Sequence, residues 1–152
     1  TMVGLSFQQL YSEEVVIVAN VDSQALHSRD FAALDSFRVL YPPKDSAIRP
    51  LVARLLISHG VPLFQNRIET ASPAFGRAVV MADPNTIWII SRGVVADDIA
   101  KGKLAPLKMD MAPTLGAVGI MSRAEEIPSV PTRSFSKLLS TLCLSGGFHG
   151  MR

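Results

Sequence analysis

A single cysteine, Cys143, stands among 152 residues, too little for a disulfide framework or a cysteine-based zinc cage. It lies in LLSTLCLSGG and reads as a buried structural thiol, and such cysteine usage suits a reducing cytoplasm. An excess of one charge is missing as well. Fifteen Lys and Arg face 13 Asp and Glu, scattered along the chain, with no basic arm and no aromatic–basic patch. Direct nucleic-acid binding by this chain is therefore not expected. No apolar run approaches the ~20 residues that a membrane helix needs, and TMVGLSF lacks the charged and apolar regions of a signal peptide. A Thr ahead of the first Met points to a piece of a longer chain.

The signatures of catalysis are missing too. His27, His59 and His149 each stand alone, with no second ligand at a metal-binding spacing. His59 precedes Gly60, a natural helix stop, where an imidazole can bond the last carbonyls. Glu13–Glu14 and Asp97–Asp98 are adjacent pairs, and adjacent side chains point apart on a strand or helix. No GxSxG elbow is present, and GGFHG follows no strand, so it is not a dinucleotide fingerprint. Trp88, Met81, Met109 and Met111 read as core fillers. No catalytic residue, metal ligand or cofactor is expected.

What is present is the composition of a folded domain: 48% apolar and 18% charged residues, enough in one chain to bury a core. QLYSEEVVIVANVDS, from Gln9, reads as one strand whose Val15–Val18 run is apolar on both faces. SRDFAALDSF holds a short helical turn. FRVLYPP is a second strand, FQNRIET a third, TIWIIS a fourth, LAPLKM a fifth and LGAVGIMSR a sixth. Helices are predicted in KDSAIRPLVARLLISHG, SPAFGRAVVMAD, RGVVADDIAKGKL and TRSFSKLLSTLCL. Ser72 is the cap of the second helix and Pro73 its first residue. The first helix has two candidate starts: Ser46 as cap, which leaves Pro50 at the end of the first turn, or Arg49 as cap with Pro50 first. Strands alternating with helices of this length indicate an α/β fold with a mainly parallel sheet.

One place stands out for binding. YPPKDSAIRP joins the C-terminal end of a strand to a helix N-terminus, where open α/β sheets bind ligands because loose N–H groups and the helix dipole favour an anion. Ser46 adds a hydroxyl, Lys44 and Arg49 add charge that can pair with a carboxylate, and Pro43 and Ile48 can wall an apolar ring. The plain alternative is a capped helix with two solvated cations. ETASPAF is a second such junction and offers Ser72 and Phe75 to the same sheet edge.

In element order the chain resembles the C-terminal part of a LysR-type transcriptional regulator over about residues 6 to 142. QLYSEEVVIVANVDSQAL is similar to the family's strand into its second subdomain, with SQAL where HPLA is common. RVLYPPKDSAIRPLVARLLISHGVPL resembles the strand, effector loop and helix that follow. ETASPAFGRAVVMADPNTIWIISRGVVADDIAKGKLAPL resembles the next helix, strand, helix and turn, with Asp83–Pro84–Asn85 replacing a glycine pair and Ser91 where proline is common. GAVGIMSR and SFSKLLSTL resemble the return strand and last helix. The segment WIISRGVVADDIAKGKL looks most like regulators of protocatechuate catabolism.

The resemblance implies a Rossmann-like effector domain of the periplasmic-binding-protein type, with a ligand between two subdomains. Residues 9–105 would form the second subdomain, 1–8 and 106–145 part of the first with the hinge crossings, and 146–152 a tail. Lys44, Asp45, Ser46, Ile48 and Arg49 match positions that contact effectors in the family, and Ser72 and Phe75 follow on the next helix start. Ser46 would donate to a carboxylate, Arg49 or Lys44 would neutralise it, and Ile48 would cover the carbon skeleton of a dianionic, muconate-type acid. The resemblance further implies a cytoplasmic protein that self-associates as dimer or tetramer and reaches promoter DNA through a helix-turn-helix outside these residues. Two other readings compete with this sensor: a solute-binding protein of a transport system, and a small α/β enzyme.

Overall fold

Two uninterrupted apolar runs, Val15–Ala19 and Ile87–Ile89, are paired at the centre of one sheet and are buried throughout. The computed structural model describes residues 4–124, 127 and 129–144. In chain order it holds β1 (Leu5–Glu13), β2 (Val15–Asn20), β3 (Arg38–Tyr41), α1 (Arg49–Ser58), β4 (Arg67–Glu69), α2 (Pro73–Ala82) and β5 (Thr86–Ser91). Then follow α3 (Arg92–Ala100), β6 (Leu104–Pro106), β7 (Gly116–Arg123) and α4 (Val130–Leu144), with 3-10 turns at Gln24–His27, Phe31–Ser36 and Ala112–Thr114. The single strand expected from Gln9 is thus two strands, β1 and β2, in different sheets.

The larger sheet has the order β4-β3-β5-β2-β6. β3 runs parallel to β4 and β5, whereas β2 runs antiparallel to both β5 and β6. The mainly parallel sheet expected above is therefore mixed. A continuous apolar run reports burial on both faces and carries no information about strand direction.

Successive residues of β2 point to opposite faces, and each face has its own core. Val15, Ile17, Val39, Tyr41, Ile87 and Ile89 pack with Val52, Leu55 and Leu56 of α1 and with Phe31, Leu34 and Phe64. On the other face Val16, Val18, Leu40 and Trp88 meet Val80 of α2 and Val95 of α3. Trp88, Met81, Met109 and Met111 all take part in these cores. His59 closes α1, its backbone N–H shared between Leu55 and Leu56 carbonyls, and its ring lies against Phe31.

The chain divides into two compact units, one of Glu14–Leu115 and one of Thr1–Glu13 with Gly116–Arg152. These boundaries differ from the 9 and 105 read from the sequence. β1 pairs antiparallel with β7 from Leu5↔Arg123 to Glu13↔Gly116, so it belongs to the smaller unit. Leu107 and Met111 join the larger unit's core, and the Thr114 hydroxyl accepts from the Val15 N–H at 3.0 Å. In the smaller unit a Cβ on Gly119 would lie 2.0 Å from the Gln8 carbonyl oxygen, so that strand crossing requires glycine. α4 has no buried residue among those described, and Cys143 is half-buried rather than buried as expected. The tail at 146–152, with His149, lies outside the described residues.

Candidate functional site

β3 and β4 are parallel neighbours with Tyr41 opposite Glu69, and the Thr70 N–H donates to the Tyr41 carbonyl at 3.1 Å. The chain therefore leaves both strands at one sheet edge and enters two helices, α1 and α2. In the first loop Ser46 N–H donates to the Pro43 carbonyl at 3.0 Å, and Arg49 N–H to the Ser46 carbonyl at 3.2 Å. The Ser46 hydroxyl accepts from the Ile48 N–H at 3.3 Å.

Neither helix start predicted from the sequence is the one observed. Ile48 holds the N-cap position with no side-chain cap bond, and Pro50 falls within the first turn. Ser46 is engaged in a local turn, an alternative its side chain always offers the backbone. Proline is tolerated at Pro50 because first-turn N–H groups have no intrahelical partner.

Arg49 and Lys44, both expected to be open to a ligand, differ. Arg49 Nη1 donates to the Pro42 carbonyl at 2.8 Å and to the Glu69 carboxylate, and its guanidinium lies over the Tyr41 ring, 4.7 Å from the centroid. Its side chain is only 14% exposed. The hydrogen bond from Arg49 holds the Glu69 carboxyl below the usual carboxylate range, with smaller contributions from Arg67 and Lys44. Burial pushes the Tyr41 hydroxyl up, against the opposing pull of Arg49 and Arg67. Lys44 and Asp45 are exposed, and neither pairs with a described residue. Ile48 is half-buried and packs against the α1-side core.

Arg67 went unnoticed in the sequence. Its Nη1 donates to the Phe64 carbonyl at 2.9 Å, whereas its Nε is buried without a hydrogen-bond partner, 3.8 Å from Glu69 Oε2. No local pattern marks such a residue, because its interest comes from where β4 lies in the sheet. Arg49 and Tyr41 also line a shallow hollow of ≈ 200 Å³ with Leu56, Ile57 and Leu63.

The second junction matches its prediction. Ser72 caps α2 by accepting from the Phe75 N–H at 3.1 Å, and its own N–H donates to the Thr70 hydroxyl at 3.1 Å. Phe75 is 43% exposed at this helix start. A third junction, not singled out from the sequence, leaves β5 at the same edge. Ser91 caps α3 without a side-chain cap bond, and Arg92 pairs with Glu14 at 3.3 Å. Lys44, Arg49 and Arg67 stand against Asp45 and Glu69, so the first junction keeps a small excess of positive charge. No described group of three or more His, Cys, Asp or Glu side chains is placed to hold a metal.

Residues 2–143 match the family described as LysR substrate binding domain. Among curated proteins, the HTH-type transcriptional regulator PcaQ of Agrobacterium fabrum is 45% identical over 132 residues, 86% of this chain and 42% of its own length. PcaQ of Rhizobium radiobacter matches to the same extent. The chain thus spans less than half the length of these relatives. The regulatory domain of Synechocystis PCC6803 CcmR in complex with 2-PG has a similar fold, with a TM-score of 0.75, 20% identity, and coverage of 91% of this chain and 67% of that one. The effector binding domain of QuiR in complex with shikimate gives a TM-score of 0.69 at 15% identity, covering 93% and 66%.

Proposed function

This chain belongs to the LysR substrate-binding domain family, and on that premise we propose that it is the sensor of a transcription regulator, binding a small carboxylate at the β3–α1 and β4–α2 junctions. The observation that carries the proposal is the adjacency of those junctions: two polar helix starts leave neighbouring strand ends, with Lys44 unpaired beside them. Helix N-termini attract anions through their free N–H groups and dipole. In this reading Arg49 or Lys44 neutralises the ligand's carboxylate and the Ser46 hydroxyl donates a hydrogen bond to it. Asp45 and Ser72 complete the polar rim, and Ile48 and Phe75 cover the carbon skeleton. The larger unit corresponds to the family's second subdomain and the smaller to part of its first.

Likeness to the HTH-type transcriptional regulator PcaQ, together with the resemblance of WIISRGVVADDIAKGKL to regulators of protocatechuate catabolism, supports an aromatic-acid catabolite as the ligand. The shikimate complex of QuiR shows a carboxylate held by a protein of this fold. The complete protein is proposed to self-associate and to reach promoter DNA in the cytoplasm through a helix-turn-helix outside these residues. A solute-binding role in transport is not favoured, since both curated relatives are named as transcriptional regulators. Calorimetric titration with protocatechuate and with 3-carboxy-cis,cis-muconate tests the reading. Saturable binding of either, lost in Lys44→Ala/Ser46→Ala, is the expected result. Binding of neither removes the aromatic-acid assignment, and binding unaffected by the substitutions moves the site elsewhere.

A further inference from the structure

We infer that Glu69 is a specificity-determining residue of this site, whose carboxylate occupies Arg49 and yields it to a ligand carboxylate by closing onto the Nε of Arg67, which lacks a hydrogen bond. The inference rests on the carboxylate-sensing reading above and concerns how the site admits its ligand.

Arg49 is held in place by more than Glu69. Its bond to the Pro42 carbonyl and its stacking on Tyr41 fix the guanidinium whether or not Glu69 is present. A guanidinium carries five donors in a planar fork that fits a carboxylate. The natural seat for a ligand's carboxylate is therefore already taken by a carboxylate of the chain itself.

A second seat stands empty beside it. Arg67 Nε is buried and unbonded, and lies 3.8 Å from Glu69 Oε2. That is about 1 Å beyond the length of a charge-assisted hydrogen bond. Buried donors without partners are rare in folded proteins, and each calls for an explanation. A swing of the Glu69 side chain that carries its carboxylate off Arg49 and onto Arg67 satisfies the Nε and leaves Arg49 open. The exchange keeps every charge paired: the ligand's carboxylate sits on Arg49, and Glu69 sits on Arg67.

The consequence is selection by charge. A neutral ligand has nothing to replace Glu69 on Arg49 and so cannot displace it. A carboxylate replaces it in kind, and a second carboxylate on the ligand gains Lys44. Discrimination against neutral analogues thus comes from a resident competitor as well as from attraction to the correct ligand.

The test is calorimetric titration of the protein with 3-carboxy-cis,cis-muconate and protocatechuate, using wild type, Glu69→Gln, Glu69→Ala, Arg67→Met and the double variant E69Q/R67M. A thermal melt of each first confirms that it is folded. Removing the occupant in Glu69→Gln should tighten binding roughly two- to fivefold, the factor a partly exposed ion pair is worth. Glu69→Ala, which removes the carboxylate altogether, should do the same and covers failure of the first variant to fold. Arg67→Met should weaken binding when Glu69 is present and leave it unchanged when Glu69 is Gln, because the second seat then has no occupant. If wild type binds but Glu69→Gln binds equally or more weakly, this inference falls and the carboxylate-sensing reading stands. Loss of equal size from Arg67→Met in both backgrounds makes Arg67 a direct contact or a structural support, and the inference falls again. If no variant binds either probe, the sensing reading and the inference fall together.

Discussion

Gly76 lies so close to the Trp88 indole that an added Cβ would sit 2.4 Å from the ring. That ring is 1% exposed, packed in the core on β5. Gly76→Ala should therefore destabilise the larger unit by about 1–3 kcal/mol, as overpacked cores usually do. Chemical denaturation followed by the fluorescence of Trp88, the chain's one tryptophan, measures this. Glu69 and Asp83 give a second prediction. Both carboxyls are held below their ordinary range, Glu69 chiefly by the Arg49 hydrogen bond and Asp83 chiefly by that of Thr86. The unfolded chain then binds protons more readily than the folded one. The stability these groups contribute is complete above the ordinary carboxylate range and is lost as pH falls to the lowered folded values. Glu69→Gln should be less stable than wild type at neutral pH, with the gap closing in acid. Melts across a pH series decide it, and a constant gap would contradict the assignment. Of the site residues, Lys44 could be placed from sequence as an exposed cation, whereas the commitment of Arg49 could not. Its partner Glu69 is twenty positions away and meets it only because β4 pairs with β3.

The two helix starts at the site look alike in sequence and behave differently as elements. Ser72 is a true N-cap, with its hydroxyl on the Phe75 N–H, and Ser72→Ala should cost about 1 kcal/mol. Ser46 lies ahead of the helix start and accepts only from Ile48, so Ser46→Ala should cost less. Parallel denaturation curves of the two variants test the order, and equal losses would mean that Ser46 supports α1 after all. Pro73 directly after Ser72 left one reading of the second start. Pro50, with serine four residues before it, left two, and the observed start lies between them. The 3-10 turns at Gln24–His27 and Ala112–Thr114 had no apolar periodicity to announce them. They are held by short local bonds, such as the Ser23 hydroxyl accepting from Ala25 N–H at 3.1 Å and the Met111 carbonyl accepting from Thr114 N–H at 2.9 Å.

In the smaller unit, apolar side chains remain exposed across β1, β7 and α4: Phe7 at 42%, Met121 at 58%, Phe135 at 60% and Leu138 at 55%. Phe7 is paired with Met121 across the strands and Phe135 lies one turn from Leu138, and large apolar patches are rare on monomeric proteins. The 152-residue chain by itself should associate reversibly at high concentration, and Phe135→Ser/Leu138→Ser should reduce that tendency. Light scattering over a concentration series reads this, and a strictly monomeric wild-type chain would contradict it. No described helix is long and apolar enough to cross a membrane.

Sequence by itself determined the α/β class, the order of strands and helices, the capped start at Ser72 and the electropositive loop at Lys44, because each is written in neighbouring residues through periodicity, turn chemistry or charge. Only the tertiary structure decided that β2 runs against its neighbours and that β1 leaves it for another sheet. It alone decided, too, that Arg49 is already engaged by Glu69 while Arg67 Nε, 3.8 Å from the same carboxylate, has no hydrogen bond. Those facts depend on which strands become neighbours. Backbone pairing joins residues far apart in the chain, and local pattern carries no record of that choice.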